Sequence, residues 1–317
     1  MKLLIIFFTS LSLLACSSAT PPDKQWEMAV KGVYSASISR DGQSLLIGSI
    51  HHGGSYWQIE KFERLYNWNH EAGKMSGIVV SAISDNGLFA STSDHRKIAL
   101  WNTQTGEAFW LWEAPADIQA MDLSNDGQFA LLGLESYEAA MFDIKNGGVK
   151  FRLKHEGIVQ TVDMSGDMSI AITGGDDSLV KVWNLQTGKE LFSWRLLNQI
   201  KVVAISQDGR LGFASSYRGT NNIWDLTTGD LLMQLPKVEG HIQSARFNGD
   251  GTQLLTGSSS GFVDLWQVKS ALNEGSWKLA PRSGWVSKNT QVLDVAFSGD
   301  TYKAVGANGV TYQLSNK

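Results

Sequence analysis

The sequence predicts an all-β protein built from seven repeats of about 40 residues, because two markers recur with this period. The first marker is a Ser or Asn that ends a strand, at Ser39, Ser84, Ser124, Ser165, Ser206, Asn248 and Ser298. The second marker is an aromatic residue in a later strand, at Trp57, Trp101, Phe142, Trp183, Trp224, Trp266 and Tyr312. Two independent markers with one period indicate an internal repeat rather than a coincidence.

The repeat is clearest around Trp183. In residues 179–183 the polar Lys181 stands between Val180 and Val182, an alternation that predicts a half-buried strand, and a glycine–acid turn cluster precedes them at 174–178. Gly188 favours a second tight hairpin, because glycine tolerates a positive φ, and another strand-like run follows at 189–194. Each repeat therefore supplies short antiparallel strands and no helix.

Trp101, Trp183 and Trp224 each begin a similar hexapeptide that ends in Thr-Gly. In these hexapeptides the chain resembles the WD-repeat β-propeller family, and the resemblance covers nearly all of residues 25–317. It implies a single seven-bladed β-propeller over residues 25–317, with four antiparallel strands in each blade. The last repeat lacks its outer strand and a surplus strand precedes the first. The resemblance therefore also implies that residues 25–32 complete the last blade and close the ring.

The resemblance further implies a hydrogen-bonded set of four side chains within a blade: a His, a Ser or Thr, an Asp and the anchor Trp. The fourth repeat carries the complete set, as His155, Thr173, Asp177 and Trp183. In the second repeat His95 stands at the position expected for the Asp, and Asp94 lies one place before it. In the sixth repeat Ser260 stands where the Asp would be. We expect the fourth set to be structural rather than catalytic, because a buried His and Asp that bond to each other avoid the cost of unpaired polar groups.

Residues 1–15 have the character of a signal peptide. Lys2 gives a positive start, and the apolar stretch 3–14 is shorter than the roughly 20 residues that a membrane-spanning helix needs. The run from Leu13 to Cys16 resembles the lipobox of bacterial lipoproteins, which implies cleavage before Cys16 and acylation of that residue. Cys16 is the only cysteine, so it cannot form an internal disulfide. The alternative is an ordinary leader with a chance cysteine.

A lipid-anchored chain would begin at Cys16, and residues 16–24 are then the lipidated N-terminus and a short, polar linker before the propeller. In Gram-negative lipoproteins an Asp after the acylated cysteine usually causes retention in the inner membrane, and this chain has Ser17 there. The resemblance therefore implies a location at the periplasmic face of the outer membrane.

The composition excludes several classes of function. With a net charge of −4 and no basic block, the chain offers no electrostatic surface to a nucleic acid, so we expect no nucleic-acid partner.

The candidate catalytic and metal-binding motifs do not have the structural context that they need. Residues 257–261 match Gly-x-Ser-x-Gly, but a hydrolase nucleophile of this pattern precedes a helix, and these residues fall in a predicted strand-to-strand hairpin. His51 and His52 are adjacent, so they point apart, and no third metal ligand lies at ligand spacing. We expect no catalytic residue, no metal and no cofactor.

Irregular loops on a rigid scaffold are where binding residues concentrate. The least regular turns lie between the second and third predicted strands, on one face of the disc. They hold the candidate partner-binding residues His51, His52, Asp94, His95, Arg96, Glu135, Tyr137, Tyr217 and Arg218. We therefore expect a monomeric, membrane-anchored, non-enzymatic scaffold that binds a protein or peptide in the bacterial cell envelope.

Two other functions remain open. A binder of cell-envelope glycan or peptidoglycan would present an exposed aromatic platform. A small-molecule binder or enzyme at the mouth of the central channel would show clustered ionisable residues with shifted pKa values in a deep pocket.

Overall fold

The computed structural model of the protein describes residues 19–30, 32–49, 52–71, 73, 76–284 and 290–316. In these ranges every regular element is a β-strand, and the strands form seven four-stranded antiparallel sheets. The prediction of an all-β, seven-bladed propeller is confirmed. The expected signal peptide and Cys16 lie outside the described residues.

The strands are numbered in chain order. Their bounds are β1 (Lys24–Glu27), β2 (Ser35–Ile38), β3 (Ser44–Ser49), β4 (Gly53–Gln58), β5 (Glu63–Trp68), β6 (Val80–Ile83), β7 (Phe89–Asp94), β8 (Lys97–Asn102), β9 (Ala108–Glu113), β10 (Ile118–Leu123), β11 (Phe129–Leu134), β12 (Glu138–Asp143), β13 (Val149–Lys154), β14 (Val159–Met164), β15 (Ile170–Gly175), β16 (Leu179–Asn184), β17 (Lys189–Arg195), β18 (Ile200–Ile205), β19 (Leu211–Ser216), β20 (Asn221–Asp225), β21 (Leu231–Leu235), β22 (Ile242–Phe247), β23 (Gln253–Ser258), β24 (Phe262–Gln267), β25 (Leu272–Lys278), β26 (Val292–Ser298), β27 (Thr301–Gly306) and β28 (Val310–Leu314). Blades 1 to 6 take four consecutive strands each, from β2–β5 to β22–β25, and blade 7 consists of β26–β28 with β1.

The hydrophobic core lies between the blades. The second and third strands of a blade, such as β11 and β12, are buried along almost their whole length. In blade 3 their side chains pack with Ile98 and Leu100 of blade 2, which explains why their apolar pattern is nearly continuous. The fourth strands, such as β9 and β17, lie at the rim and are mostly exposed. The first strands line the central channel.

The N-terminal strand closes the ring, as the sequence predicts. β1 pairs antiparallel with β28, with Trp26 opposite Thr311, and the Met28 N–H donates to the Gly309 carbonyl at 2.9 Å. The resulting order β1-β28-β27-β26 completes blade 7. The strand is shorter than the expected closing segment 25–32, since it begins at Lys24 and ends at Glu27.

The chain is also attached to the propeller before β1. Thr20 forms a parallel bridge with Trp277, on the outer strand of blade 6. The Thr20 N–H donates to the Ser276 carbonyl at 2.8 Å, and the Lys278 N–H donates to the Thr20 carbonyl at 3.1 Å. The expected linker is therefore tied to blade 6 from Thr20 onward, and it covers part of the edge of β25.

The two faces of the disc differ in their turns. We call the face that carries the turns between second and third strands, and the loops between blades, the upper face. The lower face carries the turns between first and second strands and between third and fourth strands. In blades 1 to 5 the marker Ser sits on the lower face, where its hydroxyl donates to the Asp or Asn two residues later at 2.6–2.9 Å. The first sequence marker is therefore a device that fixes a lower-face turn.

Candidate interaction surface

Blade 4 contains a closed set of side-chain hydrogen bonds. His155, in the loop between blades 3 and 4, reaches Asp177 Oδ2 through Nδ1 at 2.9 Å and Thr173 Oγ1 through Nε2 at 2.8 Å. The Trp183 Nε1–H donates to the same Thr173 Oγ1 at 2.8 Å. The side chains of His155 and Asp177 are 0% and 3% exposed. The set ties the upper loop to the second and third strands of the blade.

Asp177 is held as a carboxylate by several donors. Its Oδ2 also accepts the Glu156 N–H at 2.9 Å, and its Oδ1 accepts the Leu179 N–H at 3.0 Å. Burial alone would raise the pKa of Asp177, but these bonds and the one from His155 bring the pKa below its ordinary value. Because both carboxylate oxygens and both imidazole nitrogens are engaged, the set stabilises the fold and presents no free group to a substrate.

Blade 2 forms part of the same set with a histidine that the sequence analysis did not identify. His70 Nε2 lies 2.9 Å from Thr92 Oγ1, which accepts the Trp101 Nε1–H at 2.8 Å. His70 Nδ1 has no hydrogen-bond partner among the described residues, so Asp94 does not take the role of Asp177. The spacing explains the omission: His70 precedes Thr92 by 22 residues, whereas the corresponding spacing in blade 4 is 18.

The predicted partner residues that lie in the described ranges share the upper face but belong to different blades. His52 is an exposed residue of blade 1, and His51 lies outside the described residues. Asp94 ends β7 of blade 2, where His95 and Arg96 form the following turn. The structure therefore places these residues on one surface and does not gather them into one cluster.

Several of these side chains are engaged within their own part of the ring. His95 lies 3.5 Å from a carboxylate of the next loop, Arg96 donates to a loop carbonyl at 3.2 Å, and Glu135 accepts a glutamine N–H at 2.8 Å. Tyr137 of blade 3 differs, since it is 54% exposed and takes a φ of 64°. A bulky residue with positive φ is unusual and often marks a functional position.

Blade 5 departs furthest from the hydrogen-bonded set. Residues 41 places after the blade 4 set are Leu196, Ala214 and Arg218, in place of His155, Thr173 and Asp177. The turn hydrogen bond from the Gly219 N–H to the Ser216 carbonyl, at 3.1 Å, has its counterpart in blade 4 at 3.2 Å, which supports this alignment. Arg218 thus occupies the turn position of Asp177, but it is exposed and takes a φ of 51°.

Positive side chains gather beside Tyr217. Lys201 Nζ lies 5.8 Å from the centre of the Tyr217 ring, and the Arg218 guanidinium carbon lies 5.2 Å from it. His241 packs edge-on against the same ring, with ring centres 4.9 Å apart. Burial lowers the pKa of His241, and the charges of Lys201 and Arg218 lower it further. His241 is therefore neutral near pH 7, and the positive charge comes from the lysine and the arginine.

A small cavity of about 230 Å³ lies next to Arg218, between blades 5 and 6. Its wall includes the side chains of Arg218, Lys237 and His241. We call Lys201, Tyr217, Arg218, Lys237 and His241 the blade 5–6 cluster. The sequence analysis named only Tyr217 and Arg218. Lys201 lies in β18, and Lys237 and His241 lie in the loop between blades 5 and 6, where no local sequence pattern marks them.

Carboxylates line the wall of the central channel. Three of them accept a backbone N–H from the next blade: Asp122 from Met164 at 3.0 Å, Asp163 from Ile205 at 2.8 Å and Asp294 from Ile38 at 2.7 Å. These bonds join blade 3 to blade 4, blade 4 to blade 5 and blade 7 to blade 1. The channel carboxylates therefore act as clamps between adjacent inner strands.

Asp122 and Asp163 influence each other's ionisation. Burial raises the pKa of Asp163 to about 6. Burial together with the charge of Asp163 raises the pKa of Asp122 well above its ordinary value. The pair therefore holds a proton at pH values where an exposed aspartate is ionised. The sequence analysis did not name these residues, although each stands two places before a marker Ser.

Two kinds of feature are absent from the described residues. No helix in these ranges is long and apolar enough to cross a bilayer. In the same part of the chain, no three His, Cys, Asp or Glu side chains are grouped so that they could hold a metal ion.

Comparison with known protein families gives matches in the regular part of the ring. The family model of the WD domain, G-beta repeat (WD40), matches residues 149–184 and 232–267. Each match runs from the outer strand of one blade to the third strand of the next, from β13 to β16 and from β21 to β24. A search of curated proteins found no match to the chain.

Proposed function

We propose that the chain, a seven-bladed β-propeller with two segments that match the WD40 repeat model, is a non-enzymatic scaffold that binds a protein partner on its upper face. Propellers of this family generally serve as platforms for protein interactions. A fold hosts many functions, so the site must carry the argument.

The side chains exposed on the upper face support the proposal, although Phe62 and Leu88 are also exposed on lower-face turns. Lower-face turns engage their polar side chains in a repeated pattern of internal hydrogen bonds. On the upper face Tyr137, Leu197 and Tyr217 are exposed, and Arg218 is exposed beside Tyr217. Tyr and Arg are the residue types that dominate binding energy at interfaces, and exposed apolar groups gain most from burial by a partner.

A paired replacement tests the choice of face. Tyr217→Ala with Arg218→Glu should abolish chemical crosslinking to the partner in the native envelope. Thr228→Ala with Arg210→Glu makes the same charge change on the lower face of the same blade, and it should leave crosslinking unchanged. Both proteins should fold, because the replaced side chains are exposed. Loss of the crosslink in the lower-face protein alone would contradict the proposal.

We also propose that the scaffold is anchored to a bacterial envelope membrane by acylation of Cys16, at the periplasmic face of the outer membrane. The lipobox-like sequence and the single cysteine support this part. Thr20 is already fixed to blade 6. Four residues of extended chain span at most about 14 Å, so the anchor would hold the rim at blades 6 and 7 close to the bilayer.

Membrane fractionation tests the anchor. Cys16→Ser should leave an uncleaved precursor or a soluble protein, since acyl chains supply the attachment. Cys16→Ser protein that had lost its leader and still sedimented with membranes would disprove the anchor, while leaving the upper-face proposal intact.

The channel contains one feature that would favour a small-molecule site. Asp122 and Asp163 are buried neighbours with raised pKa values, as catalytic carboxyls often are. Both oxygens of each carboxyl, however, accept backbone N–H groups, at 2.8–3.0 Å. We therefore assign the pair to the structure of the ring, and we keep the scaffold as the proposed function.

The glycan-binding alternative has less support. Phe109 and Trp110 are exposed on the outer strand of blade 2. Consecutive residues on a strand point to opposite faces, so these two rings do not form one flat platform.

A further inference from the structure

We propose that the blade 5–6 cluster binds an acidic segment of a protein partner. A carboxylate side chain of that segment enters the cavity beside Arg218 and Lys237, and an adjacent apolar side chain lies on Leu197 and Tyr217. This inference rests on the proposed scaffold function, and it adds the location of the contact and the chemical class of the partner.

The charge of the cluster supports an acidic occupant. Lys201, Arg218 and Lys237 make no ion pair or hydrogen bond with a carboxylate in the described part of the chain. Glu239, in the same loop as Lys237, likewise forms no ion pair with them within those ranges. The whole chain carries a net charge of −4, so the positive charge of this surface is opposite in sign to the net charge of the protein. An anionic group would meet cations that have no competing internal partner.

The fold does not require these charges. In blade 4 the turn position equivalent to Arg218 holds Asp177, whose oxygens fix the loop and the turn. In blade 5 a turn forms at the same place without a carboxylate, and it is closed by a backbone hydrogen bond of 3.1 Å. Arg218 is therefore free of the structural duty that its counterpart performs, which leaves its guanidinium available to a ligand.

The dimensions favour a side chain over a small molecule. The cavity measures about 230 Å³, below the roughly 300–1,000 Å³ typical of small-molecule sites. Leu197 is 79% exposed. The next residue, Asn198, donates to the Tyr217 carbonyl at 3.0 Å, which holds this loop against the cluster. A short segment with a carboxylate next to an apolar residue would fit this surface, because the carboxylate would enter the charged cavity and the apolar residue would lie on Leu197.

A selection from a phage-displayed library of random peptides tests the proposal, with the purified protein as the target. Selected peptides are synthesised with a fluorophore, and their affinities are measured by anisotropy at low and high salt. The variants are Arg218→Glu in the cluster and Arg210→Glu on the lower face of the same blade, which makes an equal charge change. Vesicles of pure phosphatidylglycerol serve as a second probe.

We expect the selected peptides to carry Asp or Glu next to an aliphatic or aromatic residue. Arg218→Glu should weaken their binding about ten-fold or more, which corresponds to about 1.4 kcal/mol, and Arg210→Glu should not change it. Binding should also weaken at high salt, because exposed charge pairs are screened over about 10 Å at moderate ionic strength.

Three results would overturn the inference: selected peptides without acidic residues, affinity that Arg218→Glu leaves unchanged, or failure to select any peptide. Vesicle binding that depends on Arg218, without an acidic peptide, would instead assign the cluster to anionic lipid. A partner that still crosslinks to the Arg218→Glu protein through other upper-face residues would refute this site while the proposed scaffold function stands.

Discussion

Asp177 and Arg218 occupy the same turn position in adjacent blades, but replacing each with alanine should affect the stability of the protein differently. Asp177→Ala should destabilise the protein, because the carboxylate holds the blade 4 set together. Arg218→Ala should leave stability nearly unchanged, because its side chain is exposed and no carboxylate in the described residues pairs with it.

The expected magnitudes follow from the contacts. Asp177→Ala removes acceptors for His155 Nδ1 and for the Glu156 and Leu179 N–H groups. Water can replace the carboxylate at the exposed Glu156, but the His155 side chain is 0% exposed and is left without a partner. Stranding one buried polar group costs about 1–3 kcal/mol. Arg218→Ala should change stability by less than about 0.5 kcal/mol.

Urea unfolding followed by circular dichroism measures both variants against the unaltered protein. Trp183→Ala serves as a positive control, since it removes a buried indole and should cost about 3–5 kcal/mol. The reasoning would be refuted if Arg218→Ala destabilised the protein as much as Asp177→Ala. It would also fail if Asp177→Ala left stability unchanged and abolished partner binding.

Two further predictions concern the ring. Deletion of residues 20–27 should lower the melting temperature, because β28 loses the strand that pairs with it from Val310 to Gln313 and its edge is exposed. Gln25→Ala, an exposed position on the same strand, should have little effect. An unchanged melting temperature after the deletion would contradict closure by β1. The Asp122–Asp163 pair binds more protons in the folded than in the unfolded protein. Its contribution to stability is therefore fully present below the ordinary aspartate pKa of 3.8 and is lost as the pH rises through about 6. The stability difference between the unaltered protein and Asp122→Asn should therefore fall between about pH 4 and pH 6, as followed by urea unfolding at each pH. A difference that grew over this range would show that the pKa is not raised.

Local sequence patterns were sufficient to predict the ring. The marker Ser and the aromatic anchor are each set by contacts within one blade, such as the bond from Trp183 to Thr173. The sequence of each repeat is therefore sufficient to predict the strands of its own blade. The closing role of β1 was implied by the family resemblance, together with a last repeat that lacks its outer strand and a surplus strand before the first repeat.

The candidate surface was less accessible to sequence reasoning, because it forms between blades. Lys201 and His241 both lie beside Tyr217, yet they belong to different blades and share no motif with it. His70 was missed because a longer loop changes its spacing to Thr92. Arg218, in contrast, could have been singled out by aligning it with Asp177, since the substitution places a cation at a structural carboxylate position.

The central claim is that the upper face is the docking surface, and site-specific photo-crosslinking in the native envelope tests it most directly. A benzophenone amino acid is placed at Tyr137 or Gln199 on the upper face and at Gln104 or Gln186 on the lower face, all of which are exposed. We predict that irradiation yields an adduct with a protein partner from an upper-face position and from neither lower-face position. Adducts from the lower-face positions alone, or equally from both faces, would contradict the claim.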